Sequence, residues 1–265
     1  MHLRKTLAGI IPNEKLDLVS DRYEVIGDVA IITIGEGLEE YKEEIALALL
    51  SSRRNIRTVL RKSGKLEGDE RVAQFEVLIG SATTTEHCEF GYHYRLDVAR
   101  VFFNSRLATE RMRVAEKIIP GERVLVPFCG VGPSVVPAAA RGAEVVAIEK
   151  NPDAFGWLSV NLELNRVSSQ VQSFCDDVVH IPDLVSPGFD RVISPTPYGL
   201  DPILHVLASV TRKGGWIHFS TFKSRREVES WQEKFREKGL IAHACHQCGF
   251  VAPGIGRYVI DLVKE

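Results

Sequence analysis

Apolar positions along this chain change their spacing near residue 100, and the change divides it into two stretches. In the first, residues 22–34 carry two β-rich runs around Gly27-Asp28, the pattern of a hairpin. Residues 39–51 place Tyr41, Ile45, Leu47, Leu49 and Leu50 at helical spacing. Residues 59–62, 75–79, 83–89 and 92–98 read as strands, and the polar, glycine-punctuated run 63–71 as a loop. Residues 1–20 hold Leu3, Leu7, Ile10, Leu16 and Leu18 with no regular period. Together these predict a small α+β domain over residues 1–100, with a role in positioning substrate or RNA.

In the second stretch, strands and helices alternate. Thr109 predicts the cap of a helix running towards Ile119, which Pro120-Gly121 breaks. Residues 124–133 read as a short buried strand entering a glycine turn, 134–142 as a helix, and 143–149 as a strand ending on an acid. Helices follow at 151–164, 202–210 and 227–238. Strands follow at 171–174, 189–194 and 216–220, the last after the turn Lys213-Gly214-Gly215. The final strands, 241–248 and 258–263, have no helix between them. This predicts an α/β, Rossmann-like sheet over residues 101–265, mostly parallel, with an antiparallel C-terminal pair at its edge.

Composition narrows the class. A chain of 265 residues fits one large domain or two modest ones, and 45% hydrophobic residues allow a full core. A mean hydropathy of -0.03, with no long apolar run, leaves no candidate membrane span. The N-terminal run is broken by Gly9 and Pro12 too early for a signal peptide, so a cytoplasmic protein is expected. Five cysteines, an odd number in a reducing compartment, argue against a disulfide framework. A net charge of -2 advertises no nucleic acid globally. The local exception is Arg53, Arg54, Arg57, Arg61, Lys62 and Lys65, with no acid until Glu67. Such a run is either an RNA-facing stripe or a solvated face.

The chemistry centres on Gly130-Val131-Gly132-Pro133 and on Glu149 at the next strand tip. Glycines let a backbone approach a ligand, and an acid at the second strand tip suits two ribose hydroxyls. No third glycine follows at the pyrophosphate position, and no Lys-Ser/Thr follows, so the pattern suits S-adenosylmethionine better than a dinucleotide or a P-loop ligand. A plain structural turn is the alternative reading. His243, Cys245, His246 and Cys248 have zinc-like spacing, but no second cysteine pair follows. An alternating terminal strand explains them as well, and no metal is expected.

The run 101–113, the glycine loop, Ala147-Ile148-Glu149-Lys150-Asn151-Pro152, Asn161-Leu162-Glu163-Leu164-Asn165 and Ala252-Pro253-Gly254 together resemble one family of class I S-adenosylmethionine-dependent enzymes. These are the archaeal and eukaryotic tRNA guanine-N1 methyltransferases, which act beside the anticodon, and their relatives in wybutosine synthesis, which transfer an aminocarboxypropyl group. Arg22-Tyr23 through Asp28, Arg71 and Glu86-His87 resemble the family's middle domain. The family's extreme N-terminal RNA-docking domain is expected to be missing, a layout nearer the wybutosine relatives.

The resemblance implies S-adenosylmethionine as cofactor and tRNA as partner, with no membrane association, no obligate protein partner and a monomeric protein. It places Gly130, Val131 and Gly132 against the methionine part, with Phe128, Lys150 and Ser194 in the same site. Glu149 would hold the ribose hydroxyls, and Asp176 the adenine amino group, with Asp177 competing. Glu110 would take the guanine N1 proton and Arg71 meet the charge growing on O6. The plainer readings are a helix acid paired to Arg111 or Arg113, and a solvated arginine. Arg106, Pro195, Pro197 and Tyr198 would face the substrate. Tyr198 either stacks on a base or packs its own loop.

Two departures from the family pattern stand out. Val126-Pro127 occupies the place of an acid that helps hold the cofactor's amino group. Ser194-Pro195-Thr196-Pro197-Tyr198-Gly199 replaces an Asn-Leu-Pro-like signature. The expected activity is methyl transfer to a tRNA guanine near the anticodon. The alternatives are aminocarboxypropyl transfer, a divergent paralogue with another acceptor, and a non-catalytic cofactor- or RNA-binding module.

Overall fold

Gly27 and Asp28 close a hairpin of β1 (Tyr23–Ile26) and β2 (Val29–Ile32), as the alternation predicts. Gly27 has φ +56°, and a Cβ there would lie 2.4 Å from the Glu86 carbonyl oxygen, so only glycine fits. In this computed structural model, residues 3–63 and 74–265 are described, and the chain divides into the units Met1–Ser105 and Arg106–Glu265. The predicted loop 63–71 falls almost wholly outside the described residues, and with it Lys65 and Arg71.

The first unit holds α1 (Leu3–Leu7), α2 (Asn13–Leu16), the β1–β2 hairpin, α3 (Lys42–Ser52), β3 (Thr58–Lys62), β4 (Phe75–Ile79), β5 (Thr84–Glu89) and β6 (Tyr92–Asp97). Its sheet runs β1-β2-β3-β4, with β2 and β3 parallel because α3 crosses between them. Residues 1–20, aperiodic in sequence, contain two short helices; Leu3 and Leu7 are one helical turn apart, and both are buried with Leu49 and Val59. β5 and β6 form a separate hairpin tied to the first one. Asp28 N donates to Thr85 Oγ1 at 3.0 Å, the Thr85 hydroxyl donates to Asp28 Oδ1 at 2.6 Å, and Gly27 N donates to His87 Nδ1 at 3.2 Å.

The second unit is built on β7 (Arg123–Pro127), β8 (Glu144–Glu149), β9 (Val171–Cys175), β10 (Phe189–Ser194), β11 (Thr211–Lys223), β12 (Leu240–Ala252) and β13 (Ile255–Lys264), in the order β12-β13-β11-β10-β7-β8-β9. The strands from β11 to β9 are parallel, and β13 enters antiparallel between β12 and β11. Of the predicted antiparallel pair, β12 is therefore the sheet edge. Val124, Leu125 and Val126 are fully buried, the continuous apolar run expected of a strand covered on both faces. The helices are α4 (Ala108–Ala115), α5 (Val135–Ala140), α6 (Pro152–Leu164), α7 (Ile181–Leu184), α8 (Leu204–Val210), α9 (Arg225–Glu229) and α10 (Trp231–Arg236). No helix among the described residues is long and apolar enough to cross a membrane.

Three local expectations need correction. Thr109 is not a cap, because a turn at Ser105–Leu107 winds straight into α4. Lys213-Gly214-Gly215 does not precede a strand but lies inside β11. There the register jumps from Thr211↔Phe189 to Trp216↔Arg191, and Gly214 absorbs the bulge at φ +69°. The helix expected at 227–238 breaks at Ser230, and its start is set by a capping box between Ser224 and Glu227.

A buried polar network fastens α4 to the sheet. Arg191, 3% exposed, donates to both Glu122 carboxylate oxygens at 2.8 and 2.9 Å, to the Lys117 carbonyl at 2.9 Å and to His218 Nε2 at 2.8 Å. A guanidinium has no acceptor, so His218 Nε2 accepts and the imidazole proton sits on Nδ1. That proton is donated to Asp261 Oδ1 at 2.6 Å. The fully buried Asp261 also accepts two bonds from Arg113, at 2.8 and 2.9 Å, and one from Lys117 at 2.7 Å.

Burial pulls His218 below its ordinary value, and Arg191 and Arg113 reinforce this against the opposing Asp261 bond. Burial pushes the Asp261 carboxyl up, but the bonds from His218, Arg113 and Lys117 outweigh it and hold it far below the usual carboxylate range. Folded, both groups bind fewer protons than unfolded, so stability falls as pH drops through the ordinary histidine range and then the carboxylate range. Asp261→Asn is expected to cost about 1–3 kcal/mol near neutral pH, because it removes the charged acceptor shared by His218, Arg113 and Lys117, while Arg113 keeps Glu110. It should also flatten the acid side of the stability–pH curve in urea unfolding. An unaltered acid limb would show that Asp261 does not carry it.

Candidate active site

The residues that follow the C-terminal ends of β7, β8, β9 and β10 are the ones the sequence points to, which is where ligands bind on open parallel sheets. After β7 the chain turns sharply: Phe128, Gly130 and Gly132 have φ of +54°, +55° and +93°. Two of these are glycines; Phe128 is a strained exception, part-buried against the sheet core. A Cβ on Gly132 would lie 2.7 Å from Leu158 Cδ1, so the loop lies directly on α6.

Glu149 braces this loop. Its Oε2 accepts from Gly130 N at 2.7 Å and its Oε1 from Asn151 N at 2.8 Å. A carboxylate offers about four lone-pair sites, so it can order the loop and still accept ribose hydroxyls. Asn151 caps α6, with Oδ1 accepting from Asp153 N at 2.9 Å and Ala154 N at 3.3 Å, and Pro152 takes the first helical position. From the same helix the fully buried Asn161 donates Nδ2 to the Val131 carbonyl at 2.9 Å. The loop is thus held by its acid and by a helix that the acid helps to start. The family motifs contain Asn151 and Asn161, but sequence alone assigns neither a role. Asn-Pro ahead of an apolar run is the readable signal for the cap. Nothing local marks Asn161 as buried. Burial and the nearby Glu149 push the Cys129 thiol well up, consistent with packing.

Asp176 lies one residue beyond β9 and donates its N–H to the Glu149 carbonyl at 3.0 Å, so the two acids are neighbours at adjacent strand tips. Its Oδ1 accepts from His180 Nδ1 at 2.7 Å and from Asp177 N at 2.6 Å, and these bonds keep its carboxyl below the usual range. Asp177 is engaged otherwise: it caps the following turn through Val179 N at 3.1 Å and pairs with Lys150 Nζ at 3.0 Å. Lys150 therefore turns to Asp177.

Ser194 is buried, with its hydroxyl 2.7 Å from Thr196 Oγ1. Pro195 and Pro197 are half-buried, and Tyr198 is 62% exposed while its ring meets Phe222 edge-on at 5.7 Å. Tyr198 thus packs its loop and still offers a ring face. Val126 and Pro127 are buried in the sheet and place no carboxylate at the end of β7. Glu110 forms a two-pronged ion pair with Arg113, at 2.8 and 2.6 Å. It belongs to the Asp261 network. Arg106 is exposed in the turn before α4. Among the described residues no three His, Cys, Asp or Glu side chains converge as metal ligands; His243 packs on Trp216 and burial pushes the Cys248 thiol up to about 11.

Two substitutions test the brace. Gly132→Ala should abolish S-adenosylmethionine binding in calorimetry with the circular dichroism spectrum retained, since the added Cβ meets Leu158 at a φ alanine avoids. Glu149→Gln should weaken binding by about 1–3 kcal/mol, because an amide cannot accept at both oxygens. Unchanged affinity in either variant would place the nucleoside elsewhere.

Comparison with known proteins gives the lineage. The family model for the TRM5/TYW2 methyltransferase domain matches residues 85–248, and that for the TYW2 N-terminal domain matches residues 3–84. The tRNA (guanine(37)-N(1))-methyltransferase Trm5b of Pyrococcus abyssi is 34% identical over 229 residues, 86% of this chain and 68% of that protein. The tRNA(Phe) (4-demethylwyosine(37)-C(7)) aminocarboxypropyltransferase of Pyrococcus horikoshii is 31% identical over 269 residues, 98% of this chain and 95% of that one. The crystal structure of P. horikoshii TYW2 with MeSAdo superposes with a TM-score of 0.78 at 30% identity, covering 98% of this chain and 97% of that chain. The aTrm5 chain in the complex of aTrm5 and tRNALeu superposes with a TM-score of 0.84 at 25% identity, covering 100% of this chain and 78% of that chain. Matched along both of its units, the chain belongs to the TRM5/TYW2 family of S-adenosylmethionine-dependent, tRNA-modifying transferases.

Proposed function

We propose that this chain methylates a guanine of tRNA beside the anticodon. The observation that carries the reading is the nucleoside-shaped constellation of the glycine loop, Glu149 and Asp176, in a chain whose relative Trm5b acts on guanine 37. The residues present fit the cofactor. Glu149 brings carboxylate lone pairs to two hydroxyls, Gly132 lets the loop pack directly on Leu158 of α6, and Asp176 stands at the next strand tip. When bound, S-adenosylmethionine supplies an electrophilic carbon on a sulfonium.

The chain's own residues do the rest. Glu110, half-buried at the first turn of α4, accepts the proton that leaves guanine N1. It must turn away from Arg113 to do so, and Arg113 keeps two bonds to Asp261 when it does. The release therefore leaves no buried cation unpaired. Tyr198 offers its exposed face to the base, and Arg106 lies exposed just before α4. Arg71, as the partner of the developing O6 charge, completes the proposal from outside the described residues.

Aminocarboxypropyl transfer is the second reading. It is favoured by the match of residues 3–84 to the TYW2 N-terminal domain and by the 95% coverage of the wybutosine relative. Bulk tRNA incubated with cofactor labelled separately in the methyl and carboxyl positions separates the two: methyl label alone supports the first, carboxyl label the second. No label in RNA would sink both. Glu110→Gln is expected to lower kcat by about 10²–10⁴-fold with cofactor affinity unchanged. A variant with full kcat would make Glu110 only a partner of Arg113.

A further inference from the structure

The basic run beginning at Arg53 is sorted by the fold into spent and unspent charges. Arg61 bonds to Glu39 at 2.5 Å and to Glu76 at 3.2 Å, with its side chain only 20% exposed. Arg53 donates to the Tyr23 hydroxyl at 2.9 Å and lies over that ring at 5.7 Å. Arg54 does neither, and Arg57 makes one long ion pair, its Nε 3.8 Å from Asp28 Oδ2. Both are exposed in the connection between α3 and β3. With Asn55 between them they form one wall of a concavity of about 610 Å³, and Arg95 from β6 also lines it.

Two carboxylates share this lining, so three guanidiniums face two acids. Both acids are already engaged. Glu86 accepts from Arg95 Nε at 2.8 Å and lies 2.9 Å from His93 Nδ1, and these bonds hold it below the usual carboxylate range. Asp28 accepts from the Thr85 hydroxyl at 2.6 Å, and its oxygen lies 3.8 Å from Arg57 Nε. Arg57 remains 84% exposed in its side chain. The result is a concave surface with net positive charge, with planar donors and an amide on one wall and hydroxyls from β5 alongside. Such donors suit the oxygen pair of a phosphodiester.

We propose that this concavity of the first unit binds a backbone phosphate of the RNA substrate, through Arg54 and Arg57. The proposal rests on the reading of tRNA as substrate. It adds a place where sequence-independent affinity resides, remote in sequence from the cofactor loop.

The test measures fluorescence anisotropy of an end-labelled tRNA transcript against the full chain over a series of salt concentrations. Each phosphate that is no longer neutralised should make the slope of log K against log[salt] shallower by about 1. Arg54→Ala/Arg57→Ala is expected to bind tRNA roughly 10–100-fold more weakly at low salt with a slope shallower by about 1–2. Its S-adenosylmethionine affinity in calorimetry should be that of the parent, which also shows that the variant is folded. Lys213→Ala/Arg226→Ala, which removes the same charge from exposed positions in the second unit, should keep the parental slope. If the parent binds tRNA and the first variant matches it in affinity and slope, the phosphate site is wrong and the tRNA reading stands. If the parent binds no tRNA, both fall. Titration with inorganic phosphate alone, giving saturable binding that Arg54→Ala/Arg57→Ala abolishes while tRNA binding is unaffected, would make this a small-anion site and overturn the RNA assignment. Displacement by poly-glutamate but not by poly-uridylate would assign it to an acidic protein, with the same consequence.

Discussion

The loop after β7 holds three left-handed residues within five positions, and one of them is a phenylalanine. Such a turn does not persist by itself. Glu149 holds it, because its carboxylate takes the Gly130 N–H with one oxygen and the Asn151 N–H with the other. The acid thereby couples loop shape to the start of α6, and Asn161 on that helix returns to the Val131 carbonyl. Strand, loop, acid and helix close a ring of hydrogen bonds. A group recruited in sequence for its charge is first of all a structural clamp, and its proposed service to ribose hydroxyls would come on top of that duty.

A second clamp governs the other half of the site. Asp261 sits fully buried on β13, the last strand of the chain, and gathers Arg113, Lys117 and His218. A buried carboxylate with this many donors is costly to break and gives α4 one orientation. Glu110 inherits that orientation through Arg113. The late antiparallel strand β13 does more than join β12 to the sheet, since it supplies the anion on which the helix carrying the proposed base depends.

Much of this is legible in the sequence, for physical reasons. The hairpin at Gly27-Asp28, the parallel alternation, the helix opened by Asn151-Pro152 and the acid at the β8 tip each arise from local chemistry that a sequence displays. What is not legible depends on distance along the chain. Arg113 and Asp261 are 148 positions apart, and neither has a neighbour that advertises the other. That Asp177 is taken up by a cap and by Lys150, and Asp176 by His180, is visible only once the chain is folded. The basic run reads as one stripe in sequence, whereas Glu39, Glu76 and Tyr23 withdraw two of its members in the fold. The early helices escape because a helix of five residues shows too little of its period.

The buried Val126-Pro127 pair gives this site its asymmetry. With no acid there, Glu149 and Asp176 stand together at adjacent strand tips, where the nucleoside is proposed to bind. The relatives of this chain draw different groups from one sulfonium, a methyl in one and an aminocarboxypropyl in another. Both reactions need the nucleoside held alike; they differ in which carbon of the sulfonium faces the acceptor. In this chain Val126 and Pro127 are buried in the sheet and bring no carboxylate to the loop. On the proposed reading the nucleoside clamp serves either transfer, and the choice between them falls to residues outside it, with the exposed Tyr198 loop as the candidate.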